Sequence, residues 1–316
     1  MAAPVHKGAT SPLVRARASG RHAVRGAGLA RREATWGLIF IAPAMLLFAA
    51  FSLYPVLWTL GISLTYYSIA VAPKWAALDN YRVLLRDPLF WKALRNTVVF
   101  VVGTVPAHIV LGLGLALLLN LPLRGRALLR SSYYLPGVVS AVAASLIWLS
   151  IYNPQAGLLN DVLGWFHLPP QLWLQDPDQA MPAIMALSVW QGLGGAMLIF
   201  LAGLQGIPQL YYDAAAIDGA NGWARFRHIT WPLLFPTTFF VLVTSCIGAF
   251  QVFQQPWIMT QGGPLNRTLT LVMSIYLNGF QYGRMGYASA LAVVLFVVIL
   301  GFSLVNLRLF NRDVEY

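Results

Sequence analysis

Residues 208–236 read PQLYYDAAAIDGANGWARFRHITWPLLFP, a polar interruption between two strongly apolar blocks. Asp213 to Ile217 (DAAAI) is rich in helix formers, and Pro208, five residues earlier, suits a helix start. Asp218-Gly219 ends that helix, because glycine takes the left-handed backbone with which helices close. Asn221-Gly222 adds a second turn signal before Trp223 to Ile229 resumes a helical pattern. Pro232 and Pro236 then stand near the start of the next apolar block, where a missing N–H is tolerated. The stretch therefore predicts a short helix, a turn and another short helix, and a surface on which this chain meets another protein.

The flanking blocks decide the class. Of the 316 residues, 58% are hydrophobic and only 10% charged, too little polar surface for a soluble globule of this size. An integral membrane protein follows. The net charge of +11 does not point to nucleic acid, because seven of the 21 basic residues fall in the first 32 positions and most others flank apolar blocks. The single cysteine, Cys246, lies in an apolar block and excludes an internal disulfide and a Cys-based metal site.

Taken in order, residues 1–35 form a basic tail without apolar periodicity, expected to be disordered and cytoplasmic. The first span runs from about Trp36 to Leu64, with Pro43 and Pro55 expected to kink it, and Tyr66, Tyr67 and Trp75 expected at the far interface. Asp79 to Arg95 mixes Leu, Phe and Trp with basic residues and predicts one helix lying in the interface. Further spans are expected at about Asn96–Leu119, Ser132–Ile151, Pro182–Leu204, Leu233–Gln255 and Met285–Leu307. Arg124, Arg126 and Arg130 mark a cytoplasmic connection, whereas Asn153 to Met181 holds three acids and no Lys or Arg and is expected outside. Fourteen basic residues then lie inside against seven outside, with both termini cytoplasmic. The predicted architecture is all-α: a polytopic membrane domain of six helices over residues 36–316, carrying the polar stretch at about 208–232.

That stretch resembles the coupling loop of ABC-importer permeases, in which Glu-Ala-Ala is followed at fixed spacing by Gly, Ile and Pro. The pattern falls on Asp213, Ala214, Ala215, Gly219, Ile229 and Pro232, with Asp218 and Ala220 flanking the glycine. Asp213 stands in place of Glu, with one methylene less reach, and Trp231 stands where Leu is common. The segments LYPVLWTLGISLT (53–65), DPLFWKALRNTVVF (87–100), LLLNLPLRGRALLRSSYYLPGVVSAVAASLIW (117–148) and MTQGGPLNRTLTLVMSIYLNGF (259–280) are similar to the carbohydrate branch of these permeases, the maltose, multiple-sugar and glycerol-phosphate types. The resemblance implies a type I importer fold in the plasma membrane of a prokaryote. It implies as partners two cytoplasmic ATPase subunits, a second homologous permease and an extracytoplasmic solute-binding protein. ATP and Mg would be bound by the ATPase chains, with no cofactor in this one.

The residues themselves exclude several chemistries. All ten acids lie in loops or tails, so a proton relay or cation path through carboxylates has no material. No Gly-rich phosphate loop ending in Lys-Ser or Lys-Thr is present, and the five histidines have no paired metal-ligand spacing. No Gly-x-Ser-x-Gly elbow supports an intramembrane enzyme. A non-transporting scaffold would require that the ATPase and binding protein be missing.

Polar residues in the spans cluster twice. Ser188, Trp190, Gln191 and Gly192, with Gly194 and Gly195, lie in the fourth span. The glycines there admit two readings, a helix loosened to expose its carbonyls or close packing through small residues. Ser245, Gly248, Gln251 and Gln255 recur at offsets of three, three and four, placing them on one helical face of the fifth span with Gln254 to the side. These amides either bond between helices or meet a solute. Neutral amides beside an aromatic ring suit a sugar, whose hydroxyls need donors and acceptors while its C–H face stacks. That chemistry favours Gln251, Gln255 and Trp190, with Gln191 beside the ring. The resemblance to maltose-type permeases, whose solute contacts fall in the helices flanking the coupling loop, implies Trp190, Gly192, Gln251 and Val252, and Gln251-Val252 stands where such relatives can show an Asn pair. Trp190, Gln191, Gly192, Gln251 and Gln255 are the candidate substrate residues. The solute expected is a sugar or sugar-like molecule; a glycerol-phosphate diester is the alternative.

Overall fold

The computed structural model describes residues 33, 35–68 and 71–310, so the tail expected over residues 1–32 lies outside the described residues. The chain divides into two compact units, Met1–Trp58 and Thr59–Tyr316. The first long helix, α1, covers Thr35–Ser63. It carries a π turn at Ala49–Leu53, just before Pro55, which has no N–H to continue the regular ladder.

A small hairpin follows, β1 (Thr65–Ser68) paired antiparallel with β2 (Val71–Trp75), with Thr65 opposite Trp75. Next, α2 spans Asp79–Arg86 and α3 spans Pro88–Asn120. The single interfacial helix expected over Asp79–Arg95 is therefore two pieces. Asp87 is the reason: its extended backbone breaks the run and its carboxylate accepts the Leu89 N–H at 2.8 Å, while Pro88 takes the first helical position. Its second half is the first two turns of the span expected to begin at Asn96, which is a 33-residue helix.

The third span is also not one rod. Helix α4 (Arg126–Val138) and helix α5 (Ala141–Ile151) meet at 97° across Val139-Ser140, where the expectation was a continuous helix from Ser132. Pro136, which cannot donate to the ladder, sits three residues before the break, and Val139 and Ser140 are extended (ψ 134° at both). The acidic connection that follows holds α6 (Leu158–Trp165) and a 3₁₀ turn at Trp173–Gln175. It is organised by Asn160, whose amide donates to Pro154 and Gln171 carbonyls while its Oδ1 accepts from the Gln171 N–H and the Trp173 indole, all at 2.8–3.0 Å.

Helix α7 (Ala180–Gln205) is unbroken. After it come α8 (Gln209–Ile217), α9 (Gly222–Leu233) and α10 (Phe235–Phe250), the last two bent by 61°. The fifth span stops at Phe250; α11 (Gln254–Thr260) is a separate helix, where one helix to Gln255 was expected. Pro256 belongs in the first turn of a helix, which places the new start close before it. Finally α12 (Leu271–Tyr276) and α13 (Met285–Phe310) complete the chain. Four of these helices are long and apolar enough to cross a membrane, and six spans result when each bent pair is one.

Packing centres on α3 and α7. Gly103 lies against Met185, His108 against Ser188 and Gly192, and Gly112 against Ala196, so the two helices run parallel. Phe200, Ile184, Leu187 and Met197 are fully buried between them and their neighbours, while apolar side chains such as Leu111 and Val110 face outward. Outward apolar side chains suit lipid, so cohesion here rests on close packing rather than on exclusion from water. Gly194 shows how tight it is. A Cβ there would meet the Tyr133 carbonyl oxygen and, at 2.6 Å, the Tyr134 Cα. Gly194→Ala should therefore cost about 1–3 kcal/mol and lower the Tm of the detergent-purified protein. Gly195→Ala, with no atom within 4 Å of the new methyl, should leave the Tm unchanged.

Candidate functional site

A cavity of about 740 Å³ opens where the two interrupted spans face α7. From α7 it takes Ser188, Gln191, Gly192, Gly195 and Ile199, positions three, four, seven and eleven residues beyond the first and hence on one helical face. Helix α3 supplies Thr104 and His108, and α10 supplies Thr244, Ser245 and Gly248. The irregular stretch after α10 adds Gln251 and Phe253, and α11 adds Gln254 and Gln255.

Four of the five proposed substrate residues, Gln191, Gly192, Gln251 and Gln255, thus line one space. Trp190 does not. It lies on another face of α7, 40% exposed, with its ring 5.7 Å from that of Trp148. The aromatic ring of the cavity is instead Phe253, held nearly parallel to Trp257 at 5.9 Å, with Phe100 on the opposite helix. Gln254, placed to the side by helical periodicity, lines the cavity because it begins a new helix. Likewise Gln251 and Gln255 share the cavity without sharing a helix.

Backbone also reaches this space, at the lining glycines and at the broken third span, though no glycine interrupts α7. Gly192 and Gly194 are packing positions: a Cβ on Gly192 would come within 2.5 Å of His108 Nε2. The loosened backbone belongs to the broken third span, where the Val139 carbonyl accepts from Gln191 Nε2 at 3.4 Å. Gln191 Oε1 in turn accepts from Gln255 Nε2 at 3.4 Å. Both bonds are long against a usual 2.9–3.0 Å, so these amides are weakly held. Among the described residues Gln251 and Gln254 make no side-chain hydrogen bond within the chain. Non-helical backbone at membrane depth persists where it borders a cavity. Among the described residues no Lys, Arg, Asp or Glu lines this one.

At the end of the bundle beyond the C-terminus of α7, residues 208–233 form the second candidate site. Pro208 caps α8, which begins at Gln209, as the proline there suggests. At its other end Gly219 has φ +74°, and the N–H groups of Ala220 and Gly219 reach the carbonyls of Ala215 (2.9 Å) and Ala216 (3.2 Å). These are the two bonds of a Schellman closure. Asn221 then caps α9 by accepting from the Ala224 N–H at 2.8 Å, and Arg225 Nε ties back to the Ala220 carbonyl at 2.9 Å. Tyr212 and Thr230 bond across the pair at 3.0 Å, fixing α8 against α9. Ile229 sits half-buried within the π turn of α9 and Pro232 is exposed in its final turn. Leu210, Asp213, Ala214 and Ile217 form an exposed stripe on α8, with Ile217 88% exposed. The Asp213 carboxylate accepts from Gln209 at 3.1 Å and otherwise faces outward.

Residues 92–314 match the family described as binding-protein-dependent transport system inner membrane component. The chain belongs to this family. This permease is a multi-pass membrane protein and a transport subunit rather than an enzyme. It is 37% identical to a probable ABC transporter permease of Bacillus subtilis, over 93% of this chain and 96% of the other. Identity is 39% to the lactose transport system permease protein of Rhizobium radiobacter, over 84% and 91% of the two chains. The fold is that of a bacterial ABC transporter importing alginate, with TM-score 0.79 at 23% identity over 92% of the permease and all of that chain.

Proposed function

We propose that this permease forms half of the pore for a neutral sugar or sugar-like solute, and that the cavity between α3, α7, α10 and α11 is where the solute is held. The observation that carries the reading is the lining: four glutamine amides, hydroxyls and one imidazole around a phenylalanine ring, with no Lys, Arg, Asp or Glu among the described residues. Each amide offers two donors and an acceptor, which matches hydroxyls that both give and take hydrogen bonds. Relatives named for lactose and for trehalose/maltose support it, at 39% and 36% identity. One relative, 33% identical, is named for sn-glycerol-3-phosphate. A phosphate ester entering this cavity would find no cation, so the neutral solute is favoured.

Delivery by an extracytoplasmic binding protein fits the family. A second, homologous permease would complete the pore, since this chain supplies one bundle without internal duplication. Two cytoplasmic ATPase subunits would bind ATP and Mg and receive α8, whose exposed Leu210 and Ile217 would be covered in their cleft and whose Asp213 would meet a basic residue. Both termini would then be cytoplasmic, in the plasma membrane of a prokaryote. Cysteines introduced beside Arg124 and beside Asp176 test this orientation. In intact cells an impermeant reagent should label only the second; equal labelling of both rejects it.

Gln251→Ala and Gln255→Ala test the solute site. Each removes hydrogen bonds worth about 0.5–1.5 kcal/mol, so uptake affinity should fall roughly 2- to 12-fold in each variant while the complex still assembles. Unchanged affinity in both would reduce these glutamines to packing.

A further inference from the structure

A second cleft, of about 960 Å³, opens at the other end of the permease. Helices α3 and α7 run parallel, so the start of α3, which walls this cleft, lies at the opposite end from the segment that follows α7. Its walls are the β1–β2 hairpin, α2, the start of α3 and the start of α13, and Asn80 ties α2 to β1 and the end of α1. That side chain is buried and donates to the Ser63 and Thr65 carbonyls at 2.8 and 2.9 Å.

Three cations, Lys74, Arg86 and Arg284, line the cleft, and among the described residues none of their side chains makes a hydrogen bond or ion pair. The carboxylates nearby are already taken. Asp87 accepts from the Leu89 N–H at 2.8 Å and the Tyr287 hydroxyl at 2.7 Å. Asp79 accepts from Tyr66 at 2.8 Å and from Arg82 at 3.0 Å, and these bonds, Tyr66's first, hold it below the usual carboxylate range. The cleft thus gathers three cations against one lining carboxylate, Asp87, and keeps an excess of positive charge beside the hydroxyls of Tyr66, Tyr282 and Tyr287. The same walls expose apolar surface at Val83 and Leu89, and Trp75 and Trp91 stand exposed on the adjoining elements. Exposed tryptophans at the ends of spans mark the level of lipid headgroups.

We infer that this cleft binds the phosphate of an anionic phospholipid, in the leaflet opposite to the segment 208–233. The guanidinium groups of Arg86 and Arg284 suit phosphate oxygens, Lys74 adds charge, and the Tyr282 hydroxyl, not engaged by either carboxylate, donates. Val83 and Leu89 meet the glycerol and upper acyl carbons. The inference is independent of the solute, and it accounts for basic residues gathered where the distribution of charge places few.

The test is native mass spectrometry of the intact transporter complex, offered phosphatidylglycerol or phosphatidylcholine. The parent should retain phosphatidylglycerol in preference, and R86Q/R284Q should lose that preference by about tenfold or more. Arg82→Gln, which removes a charge that does not line the cleft, should leave it intact. Equal retention by parent and double variant overturns the proposal. So does displacement of the lipid by millimolar inorganic phosphate, which would assign the cleft to the free anion. Preserved subunit composition of the double variant shows that the loss is not unfolding.

Discussion

Gly219→Val is expected to abolish solute uptake while the protein still inserts. Gly219 closes α8 at φ +74°, and a Cβ there would meet no atom within 4 Å. Crowding is therefore not the issue; backbone conformation is. A β-branched residue held in this left-handed region costs about 1–3 kcal/mol, enough to unwind the closure and re-aim a nine-residue helix that rests on Tyr212–Thr230 and one turn. Asn visits this region routinely, so Gly219→Asn should keep much of the parent's uptake. Loss in Val with retention in Asn isolates the backbone as cause. The companion measurement is ATPase co-purification, expected to fall with Val, or else hydrolysis should persist without transport. Parental uptake in Gly219→Val would make the segment a passive connector.

Gly248→Phe is expected to block transport by a different route. Gly248 lies on the cavity wall with no atom within 4 Å of the position a Cβ would take, so an aromatic ring there extends into the space the solute would occupy. Uptake should drop to background while assembly and ATP hydrolysis persist. Gly301→Phe is the control: Gly301 is also open, but sits on an exposed position of α13 away from the cavity, and should transport normally. Equal loss in both would mean that bulk anywhere in the bundle is disruptive. Normal uptake in Gly248→Phe would remove the cavity from the pathway.

Much of this was legible in the residues, for identifiable reasons. Long apolar runs gave the six spans, since a helix crossing lipid needs about 20 such residues whatever its neighbours do. Asp218-Gly219 gave the end of α8 because the signal is local: glycine, with no Cβ, takes that φ at no steric cost. The two interruptions were not read, because hydropathy is blind to backbone direction. Both had a local mark nonetheless, Pro136 before the Val139-Ser140 break and Pro256 in the first turn of α11. Missing them put Gln251 and Gln255 on one helix and set Gln254 aside. Trp190 failed for a simpler reason. At about 100° per residue it is some 200° around α7 from Ser188, so a face holding Ser188, Gln191 and Gly195 excludes it. Phe253 was overlooked since nothing local distinguishes a ring that lines a cavity from one that packs.

The central claim is that a neutral sugar passes through the amide-lined cavity on ATP-driven command from residues 208–233. Its most direct measurement is uptake into proteoliposomes holding the complete transporter with its binding protein, supplied with ATP and radiolabelled neutral di- and oligosaccharides beside glycerol phosphate. Expected is ATP-dependent accumulation of a neutral sugar that Gly248→Phe and Gly219→Val both eliminate. Accumulation of glycerol phosphate with every neutral sugar excluded would contradict it.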